Sequence, residues 1–300
     1  MRVIVTGAAG FIGGHLANRL RGDGHAAFCT DIVQKHASID PWDIREQAPV
    51  WLRPFSDPSW DGLGPTIAVH LAAIASPNVC TQDPKLAWET NVMGTYNVLQ
   101  WLRGLGVKRV VFMSSAHVYG ISPKYLPTDE NHPLAMLDTY TVTKILGEQF
   151  CEMFWRNHGL SYCALRLFNG YGQGQDEKYF IGAKIAQARK GELTIRGGTV
   201  TKDWVHVSDV CDAIVRALQS DFVGPINIGT GVETHLGKIV ETIAFHAGHQ
   251  SIRPDGDADS GPTRMCADWL RARSVLGWEP KVKFEDGLQK LVEDSIAAAL

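Results

Sequence analysis

The apolar residues in the first half of the chain follow two alternating patterns. Short, nearly unbroken apolar runs predict strands, and longer stretches with apolar residues three or four positions apart predict helices. The predicted strands cover residues 2–5, 26–30, 66–71, 107–113 and 161–167. The predicted helices cover residues 11–21, 84–105 and 140–157. Strands that are apolar on both faces and alternate with helices indicate an α/β fold, with a doubly wound parallel sheet of the Rossmann type.

The pattern changes after Arg166, where glycine-rich turns become frequent. We therefore expect a first domain over residues 1–167 and a second, smaller α/β domain built from residues 168–201 and 225–300. The stretch 202–224 returns to a strand followed by a helix, and we expect it to rejoin the sheet of the first domain.

Composition and charge exclude several classes of protein. A formal net charge of -3 gives no general attraction to nucleic acid or to anionic membranes, so neither is an expected partner. No apolar run reaches the roughly 18 residues that a membrane-spanning helix needs. The chain opens with a strand pattern rather than a signal peptide, and its six cysteines are scattered without a CxxC pair. We expect a cytoplasmic protein with buried cysteines and no metal site.

The strongest local signal is the segment TGAAGFIGG, which begins at Thr6 between the first predicted strand and the first predicted helix. Gly7 would permit a tight turn, Gly10 would let the backbone approach a pyrophosphate, and Gly13 would let the helix pack closely on the sheet. A pyrophosphate would then lie at the helix N-terminus, where unpaired N–H groups and the helix dipole favour negative charge. The segment predicts a dinucleotide site, and the alternative is a glycine-rich turn without a ligand.

An acidic residue at the end of the second predicted strand bears on the choice of dinucleotide. Asp31 lies about twenty residues after the glycines, where a carboxylate accepts hydrogen bonds from the adenosine ribose 2′-hydroxyl. A 2′-phosphate would meet a like charge there, so Asp31 favours NAD over NADP. Lys35 lies close enough along the chain to weaken that preference.

Three polar residues form a candidate catalytic group. Tyr140 and Lys144 are four positions apart on a predicted helix, so they share one face. A nearby ammonium stabilises phenolate, and we expect it to lower the pKa of Tyr140 from its usual value of about 10. Tyr140 could then take a proton from a substrate hydroxyl while the carbon-bound hydrogen leaves as hydride. Ser115 follows a strand and would stabilise the developing oxyanion.

Six motifs occur in a fixed order along the chain. They are TGAAGFIGG, Asp31, HLAA at 70–73, NVMGT at 91–95, SSAHVYG at 114–120 and YTVTK at 140–144. In this order they resemble the NAD-dependent epimerase/dehydratase family of extended short-chain dehydrogenases. The segments GG at 197–198, KDWVHV at 202–207 and LGWEP at 276–280 continue the resemblance over nearly the whole chain.

The resemblance implies a set of site residues and NAD as the cofactor. Ser115, Tyr140 and Lys144 would form the catalytic triad. Asn91 would support the nicotinamide side, and Asp43 would meet the adenine amino group, although Asp43 could equally be a surface acid. The implied cofactor-binding residues are Gly7, Gly10, Phe11, Ile12, Gly13, Asp31, Asp43, Leu71, Ala72, Ala73, Asn91 and Lys144.

The resemblance also bears on the reaction. Family members oxidise a sugar hydroxyl, usually at carbon 4, and differ in the later steps. Dehydratases and decarboxylases carry a carboxylate just after the catalytic hydroxyl, where this chain has Ala116 and His117. This favours a 4-epimerase, in which the 4-keto sugar rotates and receives hydride on its other face. A net oxidoreductase, either a 4-ketosugar reductase or a sugar dehydrogenase, stays open because a histidine with an unperturbed pKa of about 6.5 can transfer a proton. A non-catalytic NAD-binding regulator is a more distant alternative. Such a protein would not need an intact triad, whereas this chain has Ser115, Tyr140 and Lys144.

The second domain is expected to bind a nucleotide diphosphate sugar. Asn169 matches a family position that contacts the phosphates or the sugar, and Tyr179 and Phe180 lie where the nucleoside approaches. Lys202 occupies a position that is usually arginine in the family. Its ammonium is a point charge and cannot form the paired hydrogen bonds of a guanidinium. The implied substrate-binding residues are Ser115, His117, Asn169, Tyr179, Phe180, Arg196, Lys202 and Arg264. The departures at 196 and 202 leave the base of the nucleotide open.

The resemblance implies one further partner, a second copy of the chain. Family members usually form dimers through paired helices, which here correspond to residues 84–105 and 140–157. A homodimer is therefore expected.

Overall fold

The computed structural model describes residues 1–50, 52, 66–120, 122–195, 200–248, 252–254 and 264–298. In chain order the strands are β1 (Arg2–Thr6), β2 (Ala26–Asp31), β3 (Ile39–Pro41), β4 (Thr66–His70), β5 (Arg109–Ser115), β6 (Ser161–Leu167), β7 (Asn169–Tyr171), β8 (Thr194–Ile195), β9 (Thr201–His206), β10 (Gly224–Ile228), β11 (Glu233–His235) and β12 (Arg253–Pro254). The helices are α1 (Phe11–Gly22), α2 (Pro77–Gln82), α3 (Pro84–Trp88), α4 (Gly94–Gly104), α5 (Thr139–His158), α6 (Phe180–Arg189), α7 (Val207–Gln219), α8 (Leu236–His246), α9 (Leu270–Leu276) and α10 (Phe284–Ala297).

Seven parallel strands form the main sheet, in the order β10-β6-β5-β4-β1-β2-β3. The chain order reverses between β1 and β4, because β2 and β3 extend the sheet on one side and β4 to β6 extend it on the other. This confirms the predicted doubly wound α/β fold. The carboxyl ends of β1 and β4 flank the reversal, which is where such sheets bind ligands.

Helices cover both faces of the main sheet and create two apolar cores. Leu16 and Leu20 of α1 pack with Ile214 of α7 on one face. Leu99 of α4 packs with Phe154 of α5 on the other face. Because strands covered on both sides must be apolar on both sides, the nearly unbroken apolar runs of the sequence follow from this arrangement.

Residues after β6 build a second group of elements around a third core. A three-stranded sheet has the order β11-β9-β7, and β8 pairs with β12. The core contains Tyr171, Ile181 of α6, Ile239 of α8 and Leu288 of α10, all of which are fully buried. The division into two domains at the expected boundaries stays a prediction.

Two predicted elements differ from the observed ones. The strand within 202–224 does not rejoin the main sheet, because β9 pairs with β7 and β11, and β10 supplies the added strand next to β6. The helix α7 does pack on the main sheet. The predicted helix at 84–105 is interrupted by a π turn over Glu89–Met93, which separates α3 from α4. The pairing of β9 follows from long-range contacts, since β9 turns Trp204 toward the third core and Val205 toward the main core.

Two predictions from composition concern burial and membranes. All six cysteines lie in the described ranges, are buried and form no disulfide, which confirms their predicted burial. Within those ranges no helix is both long enough and apolar enough to cross a bilayer.

Candidate active site

A cleft of about 890 Å³ opens along the carboxyl edge of the main sheet. One wall is formed by the turns after β1 and β4 and by the end of β5. The opposite wall comes from residues 167–180 and Trp204. A large concave site at the point where strand order reverses is the usual ligand site of this architecture.

The glycine-rich turn after β1 is shaped by close backbone contacts. Gly7 has a φ of +75°, and a Cβ there would lie 2.5 Å from the backbone nitrogen of Ala72. A Cβ on Gly13 would lie 2.1 Å from the carbonyl oxygen of Gly7. Helix α1 begins after Gly10, and no side chain caps its N-terminus. The first N–H groups of α1 are therefore available to an anion, and residues 10–13 line the cleft.

Asp31 and Lys35 both brace this turn. The carboxylate of Asp31 accepts hydrogen bonds from the backbone N–H groups of Ala9 and Val33, at 2.9 and 3.0 Å. The ammonium of Lys35 donates to the carbonyl oxygen of Ala9 at 2.8 Å and lines the cleft. The predicted acid thus lies beside the glycine-rich turn, and a cation lies beside both.

Four of the predicted cofactor residues, Asp31, Asp43, Ala72 and Asn91, do not line the cleft. The carboxylate of Asp43 is paired with the guanidinium of Arg45 at 2.9 Å, which lowers the pKa of Asp43. The side chain of Asn91 is 2% exposed and holds the backbone N–H and carbonyl of Ile74 at 2.7 and 3.0 Å. Its amide also donates to Thr143 of α5 at 3.1 Å. Asn91 therefore joins the loop after β4 to α5, and direct cofactor contacts by Asn91 and Asp43 stay predictions.

The cofactor contacts expected of the other residues after β4 also stay predictions. Leu71 and Ala73 line the cleft, and the backbone of Ala72 forms the surface against which Gly7 packs.

The three predicted catalytic side chains lie together at the end of β5. Ser115, Tyr140 and Lys144 all line the cleft. The Nζ of Lys144 donates to the carbonyl oxygen of Met113 at 2.9 Å and lies 5.8 Å from the centre of the Tyr140 ring. All three side chains are at most 6% exposed. This arrangement supports proton transfer from a hydroxyl bound in the cleft.

Burial dominates the electrostatics of the triad. It raises the pKa of Tyr140 well above its usual value, and the nearby Ser115 hydroxyl opposes only part of that rise. Burial also lowers the pKa of Lys144 to about 8. The lowering of the Tyr140 pKa by Lys144 stays a prediction. The ammonium donates to the Met113 carbonyl and lies 5.8 Å from the centre of the Tyr140 ring.

His117 faces Tyr140 across the cleft wall. The two rings meet edge to face with centres 5.6 Å apart, and the backbone N–H of His117 donates to Ser115 Oγ at 3.2 Å. Burial, together with the positive charge of Lys202, lowers the pKa of His117 to about 4. The imidazole is therefore neutral near pH 7, with one nitrogen that donates and one that accepts.

The second group of elements contributes some of the predicted substrate residues to the cleft. Asn169, Tyr179 and Phe180 line it, and Asn169 is held by a hydrogen bond to the backbone carbonyl of Asp203 at 2.9 Å. Lys202 does not line the cleft, although its charge acts on His117.

Arg264 and Arg196 complete the predicted substrate set. Arg264 is exposed and forms a bidentate ion pair with Glu233, outside the cleft lining. Arg196 lies outside the described residues.

Comparison with known proteins agrees with this geometry. The model of the NAD dependent epimerase/dehydratase family matches residues 3–229. The chain belongs to this family. The predicted family is confirmed, and NAD is the cofactor named in the family description.

Members of the family with different reactions are similar to this chain along its length. A putative UDP-glucose 4-epimerase of Methanocaldococcus jannaschii is 31% identical, with 97% of each chain covered. UDP-glucuronic acid decarboxylase 6 of Arabidopsis thaliana is also 31% identical, with 98% of this chain and 88% of that protein covered. The solved structure of UDP-glucose 4-epimerase from Thermotoga maritima with UDP-glucose superposes with a TM-score of 0.90 at 27% identity, over the whole of both chains.

This member of the family has a buried ion pair behind its triad that sequence reasoning missed. Arg166 of β6 and Glu148 of α5 form two hydrogen bonds, at 3.0 and 2.7 Å, and both side chains are less than 10% exposed. Ser114 donates to the same carboxylate at 2.5 Å. The signal in the sequence was the spacing of Glu148, which lies four residues after Lys144 and so on the same helix face.

Proposed function

We propose that the protein is a nucleotide-sugar 4-epimerase that acts through a transient 4-keto sugar, with Tyr140 as the base. The observation that carries the proposal is the cluster of Ser115, Tyr140 and Lys144 at the carboxyl edge of the sheet, with a neutral histidine beside it instead of a carboxylate. The relatives named for UDP-glucose and UDP-glucuronic acid support a uridine diphosphate sugar as the substrate.

The glycine-rich turn fits the pyrophosphate of NAD. The uncapped N–H groups at the start of α1 would hold the phosphates, and Asp31 would accept hydrogen bonds from the adenosine ribose. When bound, NAD supplies a hydride acceptor and a positive charge. Side chains at Gly7 or Gly13 would fill this cradle, since their Cβ atoms would collide with backbone atoms.

The side chains of the triad would handle the proton of the sugar hydroxyl. Ser115 would share its hydrogen bond with that hydroxyl, and Tyr140 would take the proton. Because burial raises the pKa of Tyr140, the phenolate needs positive charge nearby. Lys144 provides it while it is protonated, and its burial strengthens the interaction with any charge in the cleft. The same proton would return when the keto group is reduced on its other face.

The residue at 117 supports epimerisation over loss of water or carbon dioxide. Family enzymes that carry out those reactions have a carboxylate just after the catalytic hydroxyl. His117 is neutral near pH 7 and contacts the ring of Tyr140, so it can hydrogen-bond a sugar oxygen without supplying a strong acid.

A net oxidoreductase is the second candidate. The observation that favours it is again His117, whose titratable ring lies 5.6 Å from that of Tyr140 in the cleft wall. In a 4-ketosugar reductase or sugar dehydrogenase, this ring would exchange a proton with the substrate and the cofactor would leave in its changed redox state.

A homodimer is part of the proposal. Five large apolar side chains on the expected pairing helices are at least 36% exposed, and they are Trp88, Met93, Leu105, Met153 and Trp155. Light scattering coupled to size exclusion would measure the mass of the assembly, with two chains expected.

The test of the function is a panel of uridine diphosphate sugars with the purified protein, in which NADH absorbance and product stereochemistry are recorded together. An epimerase gives a product inverted at carbon 4 with no net NADH. Stoichiometric NADH or NAD formation would establish the oxidoreductase instead. The Tyr140→Phe variant is the control, since it should bind NAD normally and lose at least about a hundredfold in turnover, as expected when a general base is removed.

A further inference from the structure

Two buried polar atoms in the described part of the chain have no hydrogen-bond partner, and both belong to residues that line the cleft. One is the indole Nε1 of Trp204, a donor, and the other is the side-chain oxygen Oε1 of Gln175, an acceptor. A buried polar group without a partner is destabilising, and native proteins keep few of them. Because both residues line one cleft, a ligand bound there would supply the missing hydrogen-bond partners.

Trp204 is well placed for a substrate contact. Its side chain is 6% exposed and lines the cleft. In the parallel pair β7–β9, Trp204 is in register with Asn169, so the two side chains project from the same face of the sheet. Asn169 also lines the cleft. Lys202, two positions earlier on β9, projects to that face as well, and its charge reaches His117.

The orientation of the indole is fixed by its neighbours. The ring of Phe284 stacks on Trp204 and that of Phe180 is tilted against it, each with centres 6.1 Å apart. Because the ring is held in place by its neighbours, its N–H points in a fixed direction. A fixed donor favours binding of an acceptor at one position.

Gln175 lies four residues after β7 and lines the same cleft. Its amide nitrogen donates to the carbonyl oxygen of Gly170 at 2.8 Å, which fixes the side chain and leaves the oxygen as the unpartnered atom. Gly170 follows Asn169 and also lines the cleft. The unpartnered donor and acceptor therefore belong to two residues that contact the short strand β7, which carries Asn169.

We propose that the indole N–H of Trp204 donates a hydrogen bond to an oxygen of the nucleoside diphosphate sugar, and that Gln175 accepts one from the same ligand. This inference rests on the proposed function. It assigns to Trp204 a role in substrate recognition, apart from the proton chemistry of Ser115, Tyr140 and Lys144.

The test is Trp204→Phe, which keeps an aromatic ring and removes the N–H. Calorimetric titration of the NAD-loaded protein with UDP and with a UDP-sugar should show a dissociation constant raised about tenfold, the effect of one lost ligand hydrogen bond. A matched loss for both ligands places the acceptor on the nucleoside diphosphate. A loss for the UDP-sugar alone places it on the sugar. Gln175→Met is the second variant, expected to weaken binding of the same ligand.

The matched control is Trp278→Phe. Trp278 is fully buried, lies outside the cleft, and its N–H already donates to the carbonyl oxygen of Asp209 at 2.9 Å. We expect this control to lower the melting temperature more than Trp204→Phe does, with ligand affinity unchanged. Unchanged affinity in Trp204→Phe would overturn the inference while leaving the proposed function intact. Failure of the unaltered protein to bind any nucleotide sugar would overturn both.

Discussion

The ammonium of Lys144 donates a hydrogen bond to the carbonyl oxygen of Met113 at 2.9 Å, and so ties α5 to the strand that ends in Ser115. This contact keeps a cation at 5% exposure next to Tyr140. Burial lowers the pKa of Lys144 to about 8, so the protein bears a cost in stability for holding the charge there. Shifted pKa values with a stability cost of this kind are common at functional sites, where a group is positioned for chemistry.

We expect Lys144→Met to abolish turnover and to stabilise the fold. The folded pKa of Lys144 lies below its unfolded value, so the unfolded chain binds more protons between the two and the cost is largest at neutral pH. Removing the amine should raise the free energy of unfolding by about 2 kcal/mol near pH 7, and the gain should shrink toward about pH 10. Urea unfolding at the two pH values measures this. A variant less stable than the unaltered protein at neutral pH would contradict the assigned cost.

His117 should be silent in the pH dependence of turnover around neutrality. Its folded pKa of about 4 keeps the ring neutral there, so no change in rate should centre on the usual histidine value of about 6.5. The same depression means that the folded state loses stability as the pH falls below the unfolded pKa, because only the unfolded histidine takes up the proton.

A variant separates the two functions proposed for the site. In an epimerase, His117→Asn should retain turnover within about tenfold, since an amide replaces one hydrogen bond. A loss of a hundredfold or more, together with a rate change near the ordinary histidine pKa in the unaltered protein, would favour the oxidoreductase. The measurement is kcat and kcat/KM over a range of pH.

We expect alanine to be tolerated at Gly14 and not at the adjacent Gly13. A Cβ at position 13 would lie 2.1 Å from the carbonyl oxygen of Gly7, whereas at position 14 its nearest neighbour is 3.9 Å away. Gly13→Ala should therefore abolish NAD binding and lower the melting temperature. Gly14→Ala, within the same helix, should bind NAD normally and stabilise by about 0.5–1 kcal/mol. Equal affinities for NAD in the two variants would refute the close-contact explanation.

We expect the loss of one partner of the Glu148–Arg166 ion pair to lower stability more than the replacement of both. Glu148→Gln leaves a buried guanidinium without its partner and should cost about 3–5 kcal/mol of stability. It should also slow turnover, because the carboxylate holds Ser114 next to Ser115, the proposed partner of Tyr140. The double variant Glu148→Gln with Arg166→Met should recover a large part of the lost stability. Chemical unfolding of all three proteins checks this, and a double variant no more stable than the single one would count against it.

Much of the main sheet follows from local sequence. The runs that form β1, β4, β5 and β6 are apolar on both faces, and a strand of this kind has few alternatives in a chain with regular helices between its strands. The Tyr140–Lys144 spacing on a long helix and the glycines after β1 also act locally, so their contacts could be predicted from spacing alone.

Other features depend on distant parts of the chain. β3 is three residues long with one buried apolar side chain, Ile39, so its sequence carries little strand signal. The place of β9 depends on which strand pairs with it, and spacing does not encode that choice. The pKa of Tyr140 depends on how deeply the ring is buried, and the free N–H of Trp204 on what surrounds it. Neither quantity is visible before the chain is folded.

The central claim is that hydride leaves carbon 4 and returns to the same carbon within one turnover. The most direct measurement uses a uridine diphosphate hexose with deuterium at carbon 4, incubated with the purified protein and excess unlabelled NADH. We expect a product inverted at carbon 4 that keeps its deuterium, with none appearing in the free cofactor. Loss of the label to the cofactor, or a labelled product with its original configuration, would contradict the epimerase mechanism.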